Sequence, residues 1–167
     1  DVGDEKASVI NVDDMNSQKT EDLDEVHIYK KIRSELGILP VRLVYSPEGM
    51  EIEKYELNTD LQKAMLLYKY KEQTVKYTMY MNNADSSFGE KETDKLTDEF
   101  LIISDNGVEI KVKEYEEKDK KVKRYEAEFE YAGAQYEIKG VVEKEEFEKI
   151  LKNLILGCVV FRFFVPI

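Results

Sequence analysis

Apolar positions along this chain repeat with two different periods, and the change of period divides it. Over residues 21–36, Leu23, Val26, Tyr29, Ile32 and Leu36 recur every three or four positions, which predicts an amphipathic helix. Thr20 is its expected N-cap, Glu21, Asp22 and Asp24 suit the positive end of its dipole, and Gly37 followed by Pro40 should stop it. After Pro40 the period drops to about 2 for roughly a hundred residues, the mark of a sheet. Val41, Leu43 and Tyr45 alternate with Arg42 and Val44, and Ser46-Pro47-Glu48-Gly49 reads as a type I turn with Pro second and Gly fourth. A strand over 50–57 follows. Leu66, Tyr68 and Tyr70 then lead into a tight Glu72-Gln73 connection, from which Val75, Tyr77, Met79 and Met81 return on one face with Lys76 and Thr78 on the other. The polar stretch 83–97 holds no pattern and reads as a loop. A strand over 100–103 restarts the sheet. Asn106-Gly107 is a strong hairpin signal because both residues tolerate positive φ, and Val108, Ile110 and Val112 alternate with charges beyond it. Tyr125, Ala127, Phe129 and Tyr131 oppose Glu126, Glu128 and Glu130, which leaves one face wet. Tyr136 and Ile138 carry the pattern to Gly140.

A second helix is predicted over 143–156, with Phe147, Ile150, Leu151 and Leu154 in one stripe and Glu145/Lys149 and Glu148/Lys152 as i, i+4 pairs. Residues 158–167 are apolar apart from Arg162 and read as a buried last strand, with a membrane stub as the alternative. Together with 154–156 the run falls short of the roughly twenty residues that span a bilayer. The expected architecture is therefore α+β: a curved antiparallel sheet of about seven to nine strands with two helices packed on one face. Residues 1–20 form an acidic flexible linker, 21–156 a single domain, and 157–167 an apolar strand or tail.

Charge narrows the choice of partner. The chain carries 25 Lys and Arg against 36 Asp and Glu, a net charge of −11. Residues 1–25 alone hold nine acids and two lysines, too polar to order without a partner surface, although Val9, Ile10 and Val12 are apolar enough to dock as a short strand. With no basic stripe to offset the acids, nucleic acid and anionic membrane surfaces are disfavoured. The single cysteine, Cys158, excludes an intramolecular disulfide. The sequence opens at Asp1 with no signal segment, and the expectation is that a signal or membrane-spanning segment precedes it, so that the membrane is met only through that anchor.

No residue pattern demands catalysis. His27 is the only histidine and has no metal-spaced neighbours. Cys158 lies in an apolar run that would raise its thiol pKa, so a Cys158–His27 dyad is a poor nucleophile. Glu143, Glu145, Glu146 and Glu148 admit a hydrolase reading, but acids in the first turns of a helix complement its dipole. Asp4, Glu5, Asp13 and Asp14 lack calcium-loop spacing. Phosphate, dinucleotide, serine-elbow and paired-cysteine motifs are missing, so no catalytic residue, metal or cofactor is assigned. The eleven tyrosines, mostly on strands, are the stronger feature. Tyrosine suits a half-buried sheet, and with methionine it also suits an adaptable apolar groove. Met65, Tyr77, Met79, Phe129 and Tyr136 are the candidate ligand-contacting residues for an apolar small molecule, lipid or peptide, with core packing as their competing fate.

The stretch Pro40-Val41-Arg42-Leu43-Val44-Tyr45-Ser46-Pro47-Glu48-Gly49-Met50, the hairpin from Tyr68 to Tyr80, and Tyr136-Glu137-Ile138-Lys139-Gly140 followed by Glu145-Glu146-Phe147-Glu148-Lys149-Ile150-Leu151 resemble domain-of-unknown-function family 4367 over residues 40–154. The resemblance implies an extracytoplasmic, membrane-anchored bacterial domain without known activity. It also suggests kinship with lipoprotein-carrier and sigma-regulator sensor domains, in which helices close a curved sheet. The implied function is non-catalytic binding or sensing of an apolar ligand or another envelope protein; a hydrolase and a purely structural interaction domain are the alternatives.

Overall fold

The computed structural model describes residues 23–81, 93–118 and 122–157. The linker with Thr20, the tail with Cys158 and most of the stretch 83–97 lie outside them. Helix α1, Glu25–Lys31, starts one turn later than the pattern predicts. Asp24 caps it, its extended backbone letting the side chain accept the Val26 N–H at 3.1 Å. The helix passes into a wider π turn over Ile32–Leu36 and ends at Gly37, whose φ of 72° is left-handed. Ile28, Tyr29, Ile32 and Leu36 are all buried along it.

The strands are β1 Val41–Leu43, β2 Glu51–Asn58, β3 Lys63–Tyr70, β4 Gln73–Met81, β5 Lys95–Ile103, β6 Glu109–Glu116, β7 Lys123–Tyr131 and β8 Ala134–Gly140. Helix α2, Lys144–Lys152, and strand β9, Leu154–Leu156, follow. Seven strands form one antiparallel sheet in the order β2-β3-β4-β8-β7-β6-β5, and β1 pairs with β9 separately. The large sheet is two meanders, β2-β3-β4 and β5-β6-β7-β8, joined where β4 meets β8. The fold is α+β, as the two periods predict.

Register sorts the side chains. One inner row reads Leu57, Ala64, Met79, Tyr136, Phe129, and the next reads Tyr55, Leu66, Tyr77, Ile138, Ala127, Val112. α1, β1 with β9, and α2 cover this face and share one core with it. Between the inner rows, the outer face carries Glu56, Met65, Thr78, Glu137 and Glu128. At the β4–β8 junction Gly140 is needed for space, since a Cβ there would lie 2.8 Å from Val75 Cγ2 and 3.1 Å from Val75 Cα.

Local details depart from expectation, each for a physical reason. α2 stops at Lys152 instead of residue 156, because Leu154 through Leu156 give their backbone to β1 in an antiparallel ladder. Without that ladder β1 would be a buried strand with unpaired peptide groups. The turn before β2 is one residue late: Met50 N–H donates to Pro47 O at 3.0 Å, and Gly49, with φ 87°, takes the third position. The β3–β4 connection is Lys71-Glu72, not Glu72-Gln73, since Gln73 already pairs with Tyr70. β5 begins at Lys95, inside the stretch read as a loop. In the β5–β6 turn only Gly107 has positive φ; Asn106 instead donates its side-chain N–H to Leu154 O at 2.7 Å.

Candidate ligand cleft

Of the five residues expected to line an apolar groove, four are core. Tyr77, Met79 and Tyr136 are fully buried and Phe129 nearly so, with Phe129 and Tyr136 stacked at a centroid distance of 5.0 Å. Met65 does not share their face: it pairs with Glu56 and Thr78 on the outer side. The alternation of Leu66, Tyr68 and Tyr70 on the same strand already carried that answer, because a strand's neighbours point opposite ways.

The tyrosine hydroxyls explain why this face is closed. Tyr77 donates to Val41 O, Tyr136 donates to Leu39 O, and Tyr29 accepts the Leu43 N–H at 3.4 Å. Three phenols rooted in the sheet and in α1 thus satisfy the backbone of the covering segment. Burial pushes the Tyr77 and Tyr136 hydroxyls above the usual phenol range, which keeps them donors. No motif scan finds this use, since it depends on which carbonyls lie above the sheet.

Open space lies at one end of the inner layer instead. Two clefts adjoin there and share Tyr70, Lys71 and Glu143 as their common wall. One, of about 380 Å³, is lined on its far side by Val122, Tyr125, Val141 and Val142. The other, of about 620 Å³, is lined by Tyr45, Pro47, Glu48, Glu145 and Glu146. None of the five candidate groove residues lines either cleft.

The common wall is held by a strained turn. Lys71 and Glu72 both have positive φ, 48° and 64°, which suits the twist of a two-residue hairpin but costs residues that carry a Cβ. Lys71 Nζ meets Glu143 Oε2 at 2.6 Å, and Tyr70 donates to Glu143 Oε1 at 2.6 Å. The Lys71 ammonium, followed by the Tyr70 hydroxyl, lowers the Glu143 carboxyl to about 2, so it is an anion at any ordinary pH. Tyr45 donates to Glu146, and Lys149 lies 5.8 Å from the Tyr45 ring. Lys71 and Lys149 thus each sit against both a carboxylate and a phenol ring, whereas Lys123 and Lys144, which line the smaller cleft, pair with Glu114 and lie over the Phe100 ring respectively.

Other expected sites stay apart from the cleft. His27 is exposed on α1, and the Cys158 half of the dyad lies outside the described residues. Glu148 lines neither cleft. Among the described residues no three His, Cys, Asp or Glu side chains are grouped as metal ligands, and no helix is long and apolar enough to cross a membrane.

No curated protein and no solved structure matches the chain. A family model does, over residues 40–154, from just before β1 to the first residue of β9, with α1 ahead of the matched stretch. Its description is a domain of unknown function, and on that match the chain belongs to the DUF4367 family.

Proposed function

We propose that this is a non-catalytic binding or sensing domain, and that it meets its ligand at the double cleft around the Lys71-Glu72 turn. The ligand class it suits presents a cation beside an apolar group, as a basic amphipathic peptide segment does. What carries the reading is Lys71 itself. Its ammonium, 2.6 Å from Glu143 and 5.3 Å from the Tyr70 ring, occupies the position a ligand cation would take. Glu48, Glu145 and Glu146 add negative charge on one side, and Val122, Val141 and Val142 offer an apolar wall on the other.

A short peptide of alternating Lys and Leu tests this. Binding followed by calorimetry should saturate, weaken with added salt, and weaken at least about tenfold in Glu146→Lys. Lys71→Ala, which removes the internal competitor, should bind more tightly. A titration that never saturates, or one indifferent to Glu146→Lys, overturns the reading. The rival is a hydrolase using the same acids. Turnover in a broad substrate screen that is lost in Glu143→Gln would put that reading in place of this one, whereas a carboxylate held ionised down to about 2 suits charge recognition better than proton transfer. An extracytoplasmic location, with attachment to the membrane, rests on the resemblance alone, and a topology reporter fused to the intact gene tests it.

A further inference from the structure

The two edges of the large sheet are unlike. β2 is interrupted by a bulge between Ile52 and Lys54 and carries Glu51, Glu53, Lys54 and Glu56, the devices that keep an edge from pairing with another chain. β5 confines the same devices to its first half. Its bulge lies between Leu96 and Asp98, and its charges are Lys95, Asp98 and Glu99. The second half, Phe100-Leu101-Ile102-Ile103, is regular and uncharged. Leu96, Leu101 and Ile103 are 46%, 60% and 53% exposed, so three of the seven exposed large hydrophobics among the described residues lie on this one strand. Nothing among the described residues pairs with its outward edge.

We propose that this edge pairs with the β5 of a second copy of the chain, antiparallel and centred on Leu101, joining two seven-stranded sheets into one. The strand's own sequence selects both the occupant and the register. Centred on Leu101, Leu101 faces Leu101 of the second copy, Phe100 faces Ile102, and Ile103 faces Glu99, so apolar groups meet on both faces and no like charges are opposed. Glu99 keeps Lys113 beside it on β6. A centre at Glu99 would set two carboxylates directly opposite each other and bring both bulges into the ladder. The ladder is short, so the dimer is weak and reversible rather than obligate.

Sedimentation equilibrium on the full chain should show a concentration-dependent dimer. Leu101→Lys should weaken it more than about tenfold while leaving the melting temperature and circular dichroism unchanged, because the side chain is exposed in the monomer. In a Cys158→Ser background, Leu101→Cys should cross-link to its copy under mild oxidation. Val44→Cys, on a residue 54% exposed, should not. A monomer at every concentration up to roughly 0.5 mM, a dimer that survives Leu101→Lys, or equal cross-linking at both positions overturns the proposal. None of these outcomes bears on the cleft, which involves neither β5 nor Leu101.

Discussion

The centre of the sheet and its β5–β7 wing use tyrosine in opposite ways. At the centre, Tyr77 and Tyr136 point their hydroxyls across the core to main-chain carbonyls of residues 41 and 39. On the wing, Tyr125 donates to Glu114 at 2.9 Å, and Tyr115 lies under the Arg124 guanidinium at 4.6 Å. Glu114 also accepts from Thr97 and pairs with Lys123, contacts that hold its carboxyl below the usual range despite its burial. The centre therefore binds one layer to another through uncharged groups, while the wing binds strand to strand through charged ones. Identical side chains on alternating strands give a sealed core in one place and a salt-sensitive lattice in the other.

The strongest way to break the sealed layer is from α2. Phe147 is buried and stacks on Tyr125 at 5.5 Å. Phe147→Asp should cost more than about 3 kcal/mol in thermal or urea melts, against under about 0.5 for Glu148→Ala one position along. Equal effects would mean that the stripe does not face the sheet. Next comes the close approach of β4 and β8, where Gly140→Ala should cost about 1–3 kcal/mol by driving Cβ into Val75, a neighbour that can yield only by moving its backbone. Tyr77→Phe should cost about 1–2 kcal/mol by orphaning the Val41 carbonyl, and this loss should not respond to salt.

The smallest effect is one of sign. The carboxyl of Glu25, on α1, is raised above its ordinary value of 4.5 by burial, partly opposed by Tyr68 and Arg42 and reinforced by Asp24. A carboxyl whose folded pKa lies above its unfolded one loses stability for the protein as pH rises past 4.5. Glu25→Gln should therefore raise the melting temperature at pH 7 by less than Tyr77→Phe lowers it, and the gain should vanish below pH 4.5. Glu143, with its lowered pKa, behaves oppositely: its ion pair is fully present above 4.5 and fades as pH falls toward about 2.

How much of this was legible follows from what each pattern encodes. Alternation in β4, β7 and β8 reports which side of a strand is dry, and it placed Tyr77, Phe129 and Ile138 inward correctly. It is silent on what lies across the core, so core residues and groove residues looked alike. Leu154 falls on the helix stripe and on the β9 ladder equally well, which is why periodicity ran the helix past Lys152. The acids of the cleft stand in the sequence as helix dipole partners, and only the fold brings Lys71 and Tyr70 to Glu143 across seventy-odd residues of chain. A clue was present in Lys71-Glu72, a two-residue connection with no glycine, asparagine or aspartate to ease it.

The single junction between the two meanders sets a time order for the chain. Each hairpin can close from neighbouring segments, on the scale of about 1–10 μs. The β4–β8 ladder brings together Met79 with Tyr136 and Tyr77 with Ile138, residues far apart along the chain, and so bears the loop-closure entropy that slows folding. Until it forms, Tyr77 on one ribbon and Tyr136 on the other are not set side by side to meet the carbonyls of Val41 and Leu39. Ile138→Val should then slow refolding by most of its stability loss, whereas Leu57→Ala in the first hairpin should act chiefly on unfolding, a distinction that stopped-flow chevrons would resolve.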